Sequence, residues 1–196
     1  MAWKLQFDPE IKEYFLNGKD NALRMRNGAL LNQKYKDLKY KCLQVGVSSK
    51  SDKKIGPNWT SIDLYDKRPC IDYRCDLAKT PFNDNTFDLI FCNAILEHVK
   101  QPFDCAKEMI RILKVGGEIW LEVPFVQSYH PTKNYNQNIH GVIDTRVIEY
   151  TKDEEHGGDY WRFTPQGIAE LMKPIKTVEV LLGNTGGIVY HGIKEV

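Results

Sequence analysis

What this sequence lacks narrows its function before any motif is read. No apolar run approaches membrane-spanning length, and the opening MAWKLQFDPE has no hydrophobic core of a secretion signal, so a cytoplasmic protein without a membrane partner is expected. Net charge is nearly absent: 27 Lys and Arg against 26 Asp and Glu leave +1, which excludes a broad electrostatic footprint for nucleic acid. The cysteines (Cys42, Cys70, Cys75, Cys92 and Cys105) include no CxxC pair, and Cys42 and Cys92 fall inside apolar runs, so reduced core thiols are expected and not a disulfide framework. His130, His140 and His156 share one polar stretch, but no pair has the tight spacing of a zinc site, so no metal is expected. A GxGxxG loop is also missing, which weighs against a nicotinamide-dependent oxidoreductase.

What is present is a globular composition, 42% hydrophobic and 27% charged over 196 residues, the size of one domain with a real core. The clearest stretch runs from Thr80 to Phe125 and reads as strand, helix and strand. Phe87–Cys92 (FDLIFC) is short and almost wholly apolar after an Asn-Asp-Asn turn, the pattern of a strand buried on both faces of a parallel sheet. From Phe103, apolar residues at Ala106, Ile110 and Leu113 make one stripe of a helix, and Gly116-Gly117 stands where a left-handed helix terminus is wanted. Ile119, Leu121 and Val123 then alternate with Glu118, Trp120 and Glu122 as a strand that Pro124 ends. A crossover helix makes the two strands parallel on a right-handed path. The fold is therefore open α/β, with ligands at the carboxyl ends of the strands, near Asn93 and Phe125.

The rest of the chain extends this pattern. Helices are predicted over Glu10–Leu16 and from Asp20 to about Leu38, the second with Leu23, Leu30 and Leu31 on its apolar side; they either cap the ligand edge or pack on one face of the sheet. Strands are predicted over Lys41–Val47, Trp59–Leu64 and Ile71–Cys75. Gly46 permits close backbone approach to a ligand. Asp63, at the tip of the second strand, is placed either to accept from ribose hydroxyls or simply to cap a turn. Glu97 and His98 fall near the ligand edge and read more as capping or surface groups than as catalysts. Residues 125–164 show little periodicity, and loops this long usually carry function. Pro165 starts a helix to Met172, and Thr177–Leu182 and Ile188–Ile193 form an antiparallel hairpin.

In this order the elements resemble the class I S-adenosylmethionine-dependent methyltransferase fold: a Rossmann-like sheet of seven strands, mostly parallel with an antiparallel last strand, and helices on both faces. The segment DLAKTPFNDNTFDLIFCNAILEHVKQPFDCAKEMIRILKVGGEIWLEVPF, Asp76 to Phe125, is similar to the LPF, SFD, LEH, E-RVLKPGG and VP signature of small-molecule methyltransferases. His130-Pro131 and DYWRFT at Asp159–Thr164 are similar to the tail of a subfamily associated with sugar and polysaccharide biosynthesis. The chain departs from that pattern in keeping only Gly46 in the cofactor loop, in Val115 where proline is usual, and in an insertion over Thr132–Gly158.

The resemblance implies one methyltransferase-like domain over 1–196: an N-terminal helical cap (1–40), a cofactor-binding half (41–124), a substrate-side insertion (125–164), and a C-terminal helix and hairpin (165–196). It implies S-adenosyl-L-methionine as cofactor. Gly46, Val47 and Ser48 would face its methionine moiety, Asp63 its ribose hydroxyls, and Leu64 its adenine. Asp76 would accept from the adenine amino group, Leu77 would flank the ring, and Asn93 and Ala94 would line the methionine side. The expected reaction is methyl transfer to a small molecule, a sugar or polysaccharide precursor by the subfamily. His130 is the candidate base for a hydroxyl acceptor, Asp159 its orienter or a substrate ligand, and Arg162 a ligand for an anionic group; alternatively Asp159 and Arg162 form an ion pair that pins the insertion. The insertion itself is expected to be a substrate lid or a contact in a homo-oligomer. The rival reading is a non-catalytic binding or partner subunit that kept the fold and lost cofactor affinity, which the single-glycine loop favours.

Overall fold

A computed structural model describes residues 29–47, 53–127, 158–182 and 187–195. Seven strands form one sheet: β1 (Cys42–Val45), β2 (Trp59–Asp63), β3 (Tyr73–Arg74), β4 (Phe87–Asn93), β5 (Leu113–Pro124), β6 (Lys176–Leu182) and β7 (Gly187–Ile193). Their order is β3-β2-β1-β4-β5-β7-β6. The first five run parallel, and β7 lies antiparallel between β5 and β6. Chain order therefore reverses at β1, with β2 on one side and β4 on the other. A ligand crevice in an open α/β sheet opens at such a point, outside the carboxyl ends.

The wholly apolar FDLIFC run has its explanation in two cores. Phe87, Ile90 and Cys92 of β4 pack with Cys105, Ala106, Met109 and Ile112 of helix α1 (Pro102–Ile112) and with Ile168 and Leu171 of helix α2 (Pro165–Leu171). Leu89 and Phe91 point to the other face, against Trp59, Trp120, Leu31 and Tyr35. Each fully buried side chain of this size contributes roughly 1.5–3 kcal/mol. Pro102 stands in the first turn of α1, and α2 is capped by Thr164, whose Oγ1 accepts from the Gly167 N–H at 3.0 Å. Burial pushes the Cys42 and Cys105 thiols up to about 12, and raises Cys92 also, so these are protonated core groups and not nucleophiles.

Three boundaries differ from expectation. The helix before β1 stops at residue 34, because Asp37 begins a turn: its carboxylate accepts from the Lys39 N–H at 3.0 Å and its carbonyl from Tyr40. Leu31 and Tyr35 pack on a sheet face, while Leu38 is 72% exposed. Helix α1 buries Cys105, Ala106, Met109 and Ile112, leaves Phe103 exposed, and ends before Leu113. Gly116 (φ +79°) consequently serves a bulge in β5 and not a helix end. Backbone bonds between Gly116 and Lys194 (2.6 Å) and between Lys194 and Gly117 (3.1 Å) draw this turn into the sheet. A Cβ on Gly117 would approach the Lys114 carbonyl at 2.9 Å and the Asp88 carbonyl at 3.1 Å, so glycine is required there.

The turn before β4 is clasped to α1. Glu108 accepts from the Thr80 N–H (2.8 Å) and Oγ1 (2.5 Å) and from Arg111 Nε (2.8 Å) and Nη2 (2.6 Å). Arg111 Nη1 also reaches Asp84 at 2.5 Å. Burial opposes ionisation of Glu108, but hydrogen bonds from Arg111 and Thr80 outweigh it and hold the carboxyl below its ordinary range. No described helix is long and apolar enough to cross a membrane.

Candidate functional site at the carboxyl edge

Four parallel strands deliver the implied cofactor residues to one edge. At the end of β1, Gly46 (φ +75°) turns the chain while its N–H still donates to the Ile62 carbonyl at 2.9 Å. A Cβ there would meet Ile95 Cδ1 at 2.5 Å, so the side chain of Ile95 occupies the space that glycine leaves. Gln44 Nε2 donates to the Gly46 carbonyl at 3.1 Å, and Val47 is buried. Ser48 lies outside the described residues.

Asp63 ends β2. Its Oδ1 accepts from the N–H groups of Tyr65 and Asp66, both at 2.9 Å, so it does cap the turn. Oδ2 carries no hydrogen bond among the described residues, and Leu64 beside it is 46% exposed. Asp76, just past β3, likewise uses Oδ1 for the Ala78 N–H at 2.8 Å and stands exposed. Leu77 belongs to the core instead, 5% exposed and packed with the α1 side of the sheet. At the end of β4, Ala94 takes φ +52° and its N–H donates to the Glu122 carbonyl at 2.9 Å. Asn93 Oδ1 is buried with no hydrogen-bond partner among the described residues. A buried acceptor in that state costs about 1–3 kcal/mol, and a ligand donor would relieve it.

Arg68, which no motif in the sequence singles out, joins two of these strand ends. Its Nε lies 2.8 Å from Asp66 Oδ2, its Nη2 2.5 Å from the same oxygen, and Nη2 also donates to the Val47 carbonyl at 2.9 Å. Hydrogen bonds from Arg68 hold the Asp66 carboxyl below its ordinary range.

On the other side of the edge, residues 158–163 dock on the 3-10 turn Leu96–His98 that follows β4. The Tyr160 N–H donates to the Glu97 carbonyl (2.7 Å), Trp161 Nε1 to the Val99 carbonyl (2.8 Å), and the Phe163 N–H to the Pro124 carbonyl (3.1 Å). His98 Nδ1 is 2.6 Å from the Gly158 carbonyl, which can only accept, so Nδ1 carries the proton. Glu97 is wholly buried, with Oε1 3.8 Å from His98 Nε2. These two residues form the floor on which the segment sits. Asp159, its side chain wholly buried, accepts from Arg162 Nη1 (2.5 Å) and Nη2 (2.6 Å). Arg162 also donates through Nε to the Gln127 carbonyl at 3.2 Å, and its pKa is raised chiefly by the bond to Asp159. Of the two roles open to Asp159 and Arg162, the ion pair that pins the segment is the one made here; an incoming anion would have to displace Asp159. His130 and the rest of the insertion lie outside the described residues.

Among the described residues no group of three His, Cys, Asp or Glu side chains could hold a metal ion. A shallow hollow of about 450 Å³, lined by Lys53, Lys54, Gly56, Pro57, Pro69 and Cys70, precedes β2 and β3 and so lies at the opposite, amino edge.

Comparison with known proteins gives this geometry a context. A family described as a methyltransferase domain matches residues 33–121. The chain is 36% identical over 68 residues to the tRNA U34 carboxymethyltransferase of Helicobacter acinonychis (strain Sheeba), a match covering 33% of this chain and 26% of that protein. The chain thus spans about a quarter of that relative's length. The fold matches a SAM-dependent methyltransferase from Aquifex aeolicus with a TM-score of 0.56 and 14% identity, over 96% of this chain and 100% of that one. It also matches the Burkholderia thailandensis 1,6-didemethyltoxoflavin-N1-methyltransferase, solved with 1,6-didemethyltoxoflavin and S-adenosylhomocysteine, with a TM-score of 0.57 and 13% identity over 100% and 94%. Residues 33–121 thus match a methyltransferase domain, and the sheet has the fold of these S-adenosylmethionine-dependent enzymes.

Proposed function

We propose that this methyltransferase domain transfers a methyl group from S-adenosylmethionine to a small molecule, with a sugar or polysaccharide precursor as the acceptor class. The observation that carries the reading is a pair of acceptors that no described residue engages, Asp63 Oδ2 and the buried Asn93 Oδ1, on the two strand ends that flank β1. The residues present fit the cofactor. Asp63 and Asp76 offer carboxylate oxygens to ribose and adenine donors, Leu64 offers an exposed apolar surface to the base, and Asn93 lacks the donor that an ammonium group supplies.

When bound, the cofactor supplies an electrophilic methyl group on a sulfonium. The chain's part is to orient the acceptor and keep water out, and orientation alone is worth about 7–11 kcal/mol of barrier. His130 is the proposed base: a histidine of ordinary pKa, ~6.5, is mostly neutral near pH 7 and takes the proton of a hydroxyl acceptor. That role predicts that His130→Gln lowers turnover ~10²-fold or more while leaving cofactor affinity intact. The Asp159–Arg162 pair holds segment 158–163 over the strand ends, beside the proposed acceptor site.

The rival reading, a partner subunit with a weakened cofactor site, is favoured by one feature: Ile95 fills the space beside the single glycine of the β1 loop. Isothermal titration with S-adenosylhomocysteine separates the two. Micromolar binding, followed by transfer of labelled methyl to a panel of sugar nucleotides and free sugars, is the expected result. Failure to bind would leave the partner subunit.

A further inference from the structure

The loop after β1 has a single glycine, Gly46, to shape its approach to a ligand, and the next glycine in the sequence is Gly56. Something else must hold the backbone where the chain leaves Gly46. We infer that Arg68 is a positioning residue for the cofactor: from the β2–β3 connection it clamps the Val47 carbonyl and so sets the methionine side of the site. The inference rests on the methyltransferase reading above.

The clamp runs through four residues on two strand ends. Asp63 folds the turn after β2 by accepting from the N–H groups of Tyr65 and Asp66. That turn presents the Asp66 carboxylate to Arg68, whose backbone N–H also donates to Asp66 Oδ1 at 2.9 Å. A planar guanidinium gripped by a carboxylate at Nε and Nη2 has its orientation fixed. Its Nη2 then meets the Val47 carbonyl at 2.9 Å. The Arg68 and Asp66 side chains are 28% and 17% exposed, so the grip is partly shielded from water. A lysine in place of Arg68 would keep the charge but could not grip Asp66 bidentately and hold Val47 in one fixed plane. The clamp joins the end that faces the ribose, at Asp63, to the end that faces the methionine moiety, at Val47. It leaves the adenosine-facing carboxylates themselves untouched.

That asymmetry supplies the test. Titrations of the full chain with S-adenosylhomocysteine and with 5′-methylthioadenosine, which lacks the amino-acid moiety, are compared for wild type, Arg68→Lys and Asp66→Asn, alongside their melting temperatures. Arg68→Lys should lose about tenfold in S-adenosylhomocysteine affinity, while binding 5′-methylthioadenosine within about twofold of wild type. Asp66→Asn should show the same split, less deeply. Equal losses for both ligands would make Arg68 a general support of the edge and overturn the inference, as would unchanged affinity for both. If wild type binds neither ligand, the methyltransferase reading fails and this inference with it. If Arg68→Lys is unstable, Asp66→Asn decides the question by the same split.

Discussion

Along the ends of β2 and β4, Asp63 and Asn93 each keep an acceptor that no described residue satisfies. Around α1 and segment 158–163 two carboxylates are instead closed off, Glu108 by Thr80 and Arg111 and Asp159 by Arg162. Both regions are rich in carboxylates and carbonyls, so residue type alone does not tell them apart. The difference is satisfaction. A polar group already held by the chain's own donors acts on the fold, and one left waiting at a strand end acts on a ligand. Substitutions on the closed side should therefore change stability and leave cofactor affinity alone, and substitutions on the open side should do the reverse.

The largest expected effect is on the closed side. Glu108→Ala leaves the nearly buried Thr80 N–H and hydroxyl without a partner and Arg111 with its contacts to Asp84 and the Phe82 carbonyl. The expected loss is about 3 kcal/mol in a denaturant titration, with S-adenosylhomocysteine affinity of the folded protein unchanged. A fall in affinity at a temperature where the variant remains folded would break the separation between the two regions.

Asp63 comes next, and it straddles the comparison. Asp63→Ala removes the waiting oxygen, which should weaken S-adenosylhomocysteine binding by roughly 1.5–3 kcal/mol, the range for a hydrogen bond to a charged group. It also removes the cap on the Tyr65 and Asp66 N–H groups, at about 1 kcal/mol of stability. Asp63→Asn, whose amide oxygen can still accept both N–H groups, should restore most of that stability. If Asp63→Ala destabilises the protein but leaves affinity alone, Asp63 is a cap and nothing more.

The sheet was legible in the sequence because its signals are local. The apolar FDLIFC run, the hairpin at the end and the Thr164-Pro165 helix start each depend on residues within a few positions of one another. The Gly116-Gly117 turn was misplaced because its conformation is set by Lys194, far along the chain, which no periodicity reports. The strand-end residues Asp63, Asp76 and Asn93 could be placed because β–loop order fixes which edge they reach. Arg68 could not, since its meaning lies in one carbonyl 21 positions away. The pairing of Asp159 with Arg162 was one of two open readings, and only the burial of the Asp159 side chain shows that the pair is closed.

A third, smaller effect tests whether closed clusters on the opposite face behave as those on the α1 face do. Glu118 accepts from Lys34 Nζ (2.8 Å), Trp120 Nε1 (3.2 Å) and His191 Nε2 (3.1 Å), and His191 stacks on Trp120 with centroids 4.0 Å apart. Burial alone would raise the Glu118 pKa, but the bonds from His191 and Lys34 hold it well below the carboxylate range. The folded value thus lies below the unfolded value of about 4.3. The stabilisation is complete above that unfolded value and is lost as pH falls toward the folded one, because the unfolded chain takes up the proton first. Glu118→Gln should lose about 1.5 kcal/mol at neutral pH and show a shallower decline in melting temperature below pH ~4.5 than wild type. A parallel decline in the two proteins would remove Glu118 from the acid response.

The smallest effect is also the one whose sign decides most. Asn93 Oδ1 is buried and unsatisfied, so the unliganded protein carries the desolvation cost of that oxygen without a hydrogen bond in return. Leucine has nearly the same shape and no polar atoms. Asn93→Leu should therefore leave the melting temperature of the unliganded protein unchanged or raise it, whereas a structural asparagine would lower it. In the presence of S-adenosylhomocysteine the same substitution should cost about 0.5–1.5 kcal/mol of binding, the net worth of one hydrogen bond. Differential scanning fluorimetry with and without ligand reads both quantities in one experiment: the bare curve holds or moves up, and the ligand-induced shift shrinks. A lower bare melting temperature with an undiminished ligand shift would place Asn93 among the closed groups, and the distinction between waiting and satisfied acceptors would then lose its clearest member.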